Sequence, residues 1–157
     1  MEKGRASDFL RAGFGETKIT PPLGTDLAGF GFYLDRRANI VRDELKARSL
    51  CLQGDRETIL IISLDLLSVS VEFADRCRRQ IAKETSIPFK NILLACTHTH
   101  SGPAVQPLPG LGKINPDYVR RLPSLVLEAA LKARANLEEA KFGFHAEAVE
   151  PIGYNRR

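Results

Sequence analysis

Two periods of apolar and polar positions run through this chain, and the switches between them mark its elements. Residues 12–19 read as a first strand, closed by Thr20-Pro21-Pro22-Leu23-Gly24. Residues 45–53 and 58–64 read as two further strands joined by Gly54-Asp55-Arg56-Glu57, a hairpin signal. The first of these sets Lys46 and Arg48 on one face. The second, Ile59-Leu60-Ile61-Ile62-Ser63-Leu64, is nearly continuous, which suits a strand covered on both faces. Over 71–85, Ala74, Cys77 and Ile81 recur at helical spacing, and Pro88 prevents further extension. Residues 91–97 form the next buried strand. A second helix is expected from 116 or 117 to 137, with Asn115 as N-cap and Pro116 at the first helical position. Its stripe is Tyr118, Leu122, Leu125, Ala129, Ala133 and Leu137, and Pro123 inside it predicts a kink or a division. Residues 141–149 alternate, with Phe142, Phe144, Ala146 and Ala148 on one face of a last strand.

The order is strand, hairpin, helix, strand, helix, strand. It predicts an α/β fold, a mixed β-sheet with flanking helices, within a single domain over residues 1–157. The unit over 58–97 is a strand–helix–strand crossover, which gives parallel strands. Sites in open α/β sheets lie beyond the carboxyl ends of such strands, so Asp65 and His98 are expected at one sheet edge. Charge narrows the function classes. The net charge of +4 is modest, and the basic residues are scattered in small pairs without aromatic interleaving. A nucleic-acid binder would need a clustered basic stripe, so no nucleic acid is expected as partner. No apolar run approaches the ~20 residues that span a bilayer. The charged N-terminus lacks a following apolar segment, so no secretory signal is read and a cytoplasmic location is expected. Cys51, Cys77 and Cys96 are odd in number, lack metal-type spacing and sit in apolar elements, which favours reduced thiols packed in the core.

The chemistry concentrates in Thr97-His98-Thr99-His100-Ser101-Gly102-Pro103, which follows the apolar run Ile92-Leu93-Leu94-Ala95-Cys96. Two of the three histidines therefore share one turn at the end of a strand. Imidazole is the commonest metal ligand and the commonest general base near neutral pH, so the pair points to a metal-dependent hydrolytic site. Capping of the strand end by imidazole hydrogen bonds is the plainer alternative. The Gly-rich stretch 28–32 either lines a cleft or forms a simple turn, and Asp35-Arg36-Arg37 reads as a solvated loop. The loop over 103–116 is long for a compact domain, which marks it as functional or mobile. Asp65 is a turn cap first, and a metal ligand or a ligand's partner second. His145 alternates with polar residues and reads as solvated. The pair does not fit the amidohydrolase barrels, which need an eightfold repeat. Nor does it fit the metallo-β-lactamase pattern, where Asp and His follow in the place of Ser101-Gly102 here.

The full heptapeptide after a buried strand resembles the neutral/alkaline ceramidase family of zinc amidases. Ala12-Gly13-Phe14-Gly15, Ile19-Thr20-Pro21, Ala28-Gly29-Phe30-Gly31, residues 45–50, Ser63-Leu64-Asp65-Leu66 and Asn155-Arg156 are similar to its segments in the same order. The resemblance implies the N-terminal part of a larger catalytic domain. It implies His98 as a zinc ligand, His100 as a hydrogen-bonding group beside the substrate carbonyl, and Arg156 as a cation at the developing oxyanion. Its remaining Zn2+ ligands, a histidine, a glutamate and a tyrosine, fall beyond Arg157. The chain alone is then expected to hold zinc weakly or not at all and to be inactive, the substrate being an N-acyl lipid or another amide. Its partner would be the downstream part of the catalytic domain, or a second copy. Two other readings stay open: a non-enzymatic binding or assembly domain, and a related metal hydrolase with a different amide or ester substrate.

Overall fold

A computed structural model describes residues 9–30, 35–107, 109, 112–150 and 153–154. Strand β1 (Arg11–Lys18) lies between β2 (Lys46–Gln53) and the two-residue β5 (Glu138–Glu139), antiparallel to both. Strand β3 (Thr58–Leu64) pairs antiparallel with β2 across the expected hairpin, where the Gly54 N–H donates to the Glu57 carbonyl. Strand β4 (Ile92–Cys96) runs parallel to β3 at the sheet edge, giving the order β4-β3-β2-β1-β5. The fold is the expected mixed sheet with helices.

Helix α1 (Val71–Thr85) starts where the Ser70 hydroxyl accepts from the Phe73 N–H. It stops where Ser86 turns left-handed at φ 58° and donates its N–H to the Ala82 carbonyl. Its buried face is Phe73, Cys77, Ile81 and Thr85, so the stripe begins at Phe73 rather than Ala74. Helix α2 (Pro116–Ala135) is capped by Asn115, whose side-chain oxygen accepts from the Tyr118 N–H. Pro123 does not divide it: the ring is buried in a continuous helix, and its packing offsets the lost N–H bond. The helix ends at Ala135, two residues before the expected Leu137.

Both helices pack on one face of the sheet, around a core that includes Cys51, Leu60, Ile62, Ile81, Leu122 and Val126. Gly13 and Gly15 let α2 lie directly on β1. A Cβ at Gly15 would fall 2.4 Å from the Ala129 carbonyl oxygen and 2.4 Å from the Ala133 nitrogen. The opposite face carries no helix among the described residues. Ile59 and Ile61 are exposed there, and the continuous apolar run of β3 is covered on one side only. Nor is β4 fully buried, since Leu93 points to solvent.

The expected strand over 141–149 is not formed. Pairing with the first strand region ends where the Ala140 N–H donates to the Leu10 carbonyl. Beyond it Phe142 and Phe144 are exposed, because a period-2 pattern becomes a strand only where a neighbour accepts its hydrogen bonds. All three cysteines are free thiols. Cys51 and Cys77 are buried and Cys96 is half-buried. Among the described residues no helix is long and apolar enough to cross a membrane.

Candidate active site at the histidine turn

Strands β3 and β4 end side by side, with Leu64 opposite Cys96. The chain segments leaving them stay hydrogen-bonded. The Thr97 N–H donates to the Leu64 carbonyl at 2.9 Å, and the His98 N–H to the Leu66 carbonyl at 3.0 Å. Asp65 and His98 therefore share one edge, as the crossover predicts. His98 sits at φ 62°, a left-handed conformation that costs a non-glycine residue about 1–3 kcal/mol and tends to occur at functional turns.

The two imidazoles lie against each other, ring centres 5.1 Å apart at 68°. Their hydrogen bonds fix them differently. His98 Nδ1 is 2.9 Å from the Leu67 carbonyl oxygen. A carbonyl only accepts, so Nδ1 carries the proton and the Nε2 lone pair of the neutral ring is left free. This is the arrangement in which a histidine ligates a metal through Nε2. His100 Nδ1 instead accepts from the Phe30 backbone N–H at 3.3 Å. Its proton is therefore on Nε2, and the ring presents a donor.

The segment over 26–30 holds this turn. Leu27 bridges Pro103, the Ala28 N–H donates to the Gly102 carbonyl at 2.9 Å, and the Ala104 N–H to the Asp26 carbonyl at 3.1 Å. Gly29 approaches the His100 ring so closely that a Cβ there would lie 2.6 Å from His100 Cγ. The described part of the Gly-rich stretch thus lines the histidine turn rather than a plain bend; Gly31 and Phe32 lie outside the described residues. Phe30 packs edge-on to His100 with ring centres 5.0 Å apart.

Sequence reasoning missed Arg36. It donates to the Gly29 carbonyl at 3.2 Å and to the His100 carbonyl at 3.0 Å, and its guanidinium lies 4.7 Å from the centre of the Phe30 ring. It ties the loop to the turn instead of standing in solvent. The charge cluster Asp35-Arg36-Arg37 was its only trace in the sequence. The long loop after Pro103 is anchored too: the Lys113 N–H donates to the Asp26 carboxylate at 2.9 Å.

Asp65 is committed to structure. Its Oδ2 accepts from the Lys46 N–H at 2.9 Å, and its two oxygens share the Arg48 Nη1 donor, at 2.9 and 3.1 Å. Beside it, the hydrogen bond from Lys46 holds the Glu16 carboxyl below the usual carboxylate range. His145 is 80% exposed and pairs with Glu147, at 3.0 Å. Arg156 lies outside the described residues. Among the described residues no group of three His, Cys, Asp or Glu side chains is placed to hold a metal ion. A cavity of about 370 Å³ opens beside Ser101, with Pro21, Leu27, Ile40, Val41 and Leu45 among its apolar lining.

No family model matches the sequence, and no curated protein is significantly similar to it. Solved structures are similar in fold. Neutral ceramidase from Pseudomonas aeruginosa superposes with a TM-score of 0.70 at 18% identity, over 83% of this chain and 22% of that chain. A ceramidase complexed with C2 gives a TM-score of 0.70 at 16% identity, with the same coverage. The chain has a neutral-ceramidase-like fold, and it spans 22% of the length of the ceramidase chains it matches.

Proposed function

We propose that this chain supplies the histidine-turn part of a zinc-dependent amide hydrolase of the neutral ceramidase type, acting on the N-acyl linkage of ceramide or a related N-acyl lipid. The observation that carries this reading is the opposite fixation of the two rings. His98 offers a bare Nε2 to a metal, and His100 offers an Nε2–H to an oxygen. Zinc, when bound at such a site, supplies Lewis acidity and a water whose pKa is lowered to about 7.

The residues present fit one ligand position of that metal. A catalytic zinc takes three protein ligands and an open position, and His98 is the one this turn provides. His100 donates to the substrate carbonyl oxygen as negative charge gathers on it. Arg156 adds a cation at the same oxygen. Removing one such donor costs about 2.7–4 kcal/mol of transition-state stabilisation. The remaining ligands come from the downstream part of the catalytic domain, so the chain alone is inactive. The cavity beside Ser101, apolar along Pro21, Leu27, Val41 and Leu45 and charged at Arg37, Arg42 and Asp43, supports a substrate with both an apolar chain and a polar head. One observation favours a second reading, a binding or assembly domain: the uncovered apolar face of the sheet.

Zinc titration followed by calorimetry, with an N-acyl sphingosine hydrolysis assay, tests the first reading. Weak zinc binding that disappears in His98→Ala, and no turnover, are expected. The reading frame beyond Arg157 is expected to encode a histidine, a glutamate and a tyrosine. Tight stoichiometric zinc or turnover by this chain alone contradicts the proposal, and a stop codon after Arg157 favours the second reading.

A further inference from the structure

The two helices cover the same face of the sheet. On the other face the strand registers set Phe14 opposite Leu50, Leu50 opposite Ile61 and Ile61 opposite Leu93. One apolar row therefore crosses four strands unbroken, about 14 Å at the usual inter-strand spacing. Ala12, Leu52 and Ile59 form a second row beside it. Phe14 is 51% exposed, Leu93 56% and Ile59 44%. The patch exposes on the order of 500 Å², the upper end of what a monomer leaves in water. Toward the histidine end the same face turns polar, where Glu16, Lys46, Arg48 and Asp65 satisfy one another as ion pairs.

We propose that this face is a dimer interface and that its occupant is a second copy of this chain. The row is nearly palindromic in bulk. A two-fold axis through its middle, parallel to the strands and lying between the two sheets, sets Leu50 on the partner's Ile61 and Phe14 on the partner's Leu93. Every apolar side chain then meets an apolar one, as an isologous contact requires. The two sheets would pack about 10 Å apart, as in a β-sandwich. The Glu16–Lys46–Arg48 network falls at the edge, so the contact has an apolar centre and a polar rim. With that rim the area approaches the ~800 Å² per partner of a standard stable interface. Two cations and two carboxylates in the network leave no net basic rim of the kind that attracts an anionic lipid surface.

Sedimentation equilibrium of the chain is expected to show a monomer–dimer equilibrium. Leu50→Lys and Ile61→Glu, each folded by circular dichroism, should weaken the dimer at least tenfold. Mixing these two variants should restore a mixed dimer, because residue 50 of one copy faces residue 61 of the other. Leu131→Lys, on an exposed aliphatic residue of α2 away from this face, should change nothing. If the two variants do not fold, the unmodified chain still decides: methyl signals of Leu50, Ile61 and Leu93 should shift with protein concentration while those of Leu131 stay. A monomer at every concentration overturns the proposal. So does a dimer that both folded variants leave intact, an open-ended assembly, or a monomer that adsorbs to phosphatidylcholine–phosphatidylserine vesicles through this face.

Discussion

Gly29→Ala is the smallest change that should disturb the histidine turn. The added methyl would sit 2.6 Å from His100 Cγ, 2.7 Å from its Cβ and 2.9 Å from Nδ1. Carbon atoms settle at about 3.5–4.0 Å, so the ring has to withdraw by about 1 Å. Residue 29 also has a φ of 97°, where an L-residue is strained by about 1–3 kcal/mol. Withdrawal of the ring breaks the hydrogen bond from the Phe30 N–H, worth about 0.5–1.5 kcal/mol. The expected penalty is about 2–4 kcal/mol in all. It falls either on global stability, read by urea unfolding, or on local release of the segment over 26–30. Release would be read as faster amide exchange at Ala28, whose N–H is bonded to the Gly102 carbonyl, by about 30- to 1000-fold. In both cases the Phe30 amide and His100 Nδ1 signals move. His98 Nδ1 stays, because its partner Leu67 belongs to another segment. Unchanged stability, exchange and Phe30 shift together would refute the packing argument.

Gly15→Ala should be more damaging, because its added methyl would meet helix backbone rather than a movable ring. A loss of about 3 kcal/mol or more, with a Tm about 6–12 °C lower, is expected from thermal unfolding. A change under about 1 kcal/mol would mean that α2 can lift off β1 freely. Burial pushes the Cys77 thiol up to about 12, from 9.0 for a free thiol. Native Cys77 should therefore resist a thiol reagent at pH 8 and react only on unfolding. With the folded pKa raised, the thiol's contribution is full below pH 9 and is lost as pH climbs toward 12; the alkaline loss of stability should shrink in Cys77→Ala.

Periodicity exposed the four main strands and both helices because each element's own residues carry its face to the core. What it could not reveal was which neighbours those faces meet. The run Ile59–Leu64 looks like a strand covered on both sides, yet Ile59 and Ile61 are exposed, since both helices chose the other face. The alternation from Phe142 to Ala148 is strand-like in isolation, but the pairing stops at Ala140. Pro123 is a helix breaker by local rules and is held within α2 by burial against the core. At the site, the His-x-His pair was legible as a motif. The difference between its two rings was not, because it is made by Leu67 and Phe30, partners 31 and 70 residues away. Arg36 was illegible for the same reason, its contact with the His100 carbonyl spanning 64 residues.

The division of labour between His98 and His100 is tested most directly by long-range proton–nitrogen NMR of the two rings in the unmodified chain at neutral pH. Opposite tautomers are expected: His98 protonated on Nδ1 with a bare Nε2, and His100 protonated on Nε2 with a bare Nδ1. Added zinc should shift the His98 Nε2 signal and leave His100 protonated on Nε2. The same tautomer in both rings, or zinc binding at His100 in place of His98, would contradict it.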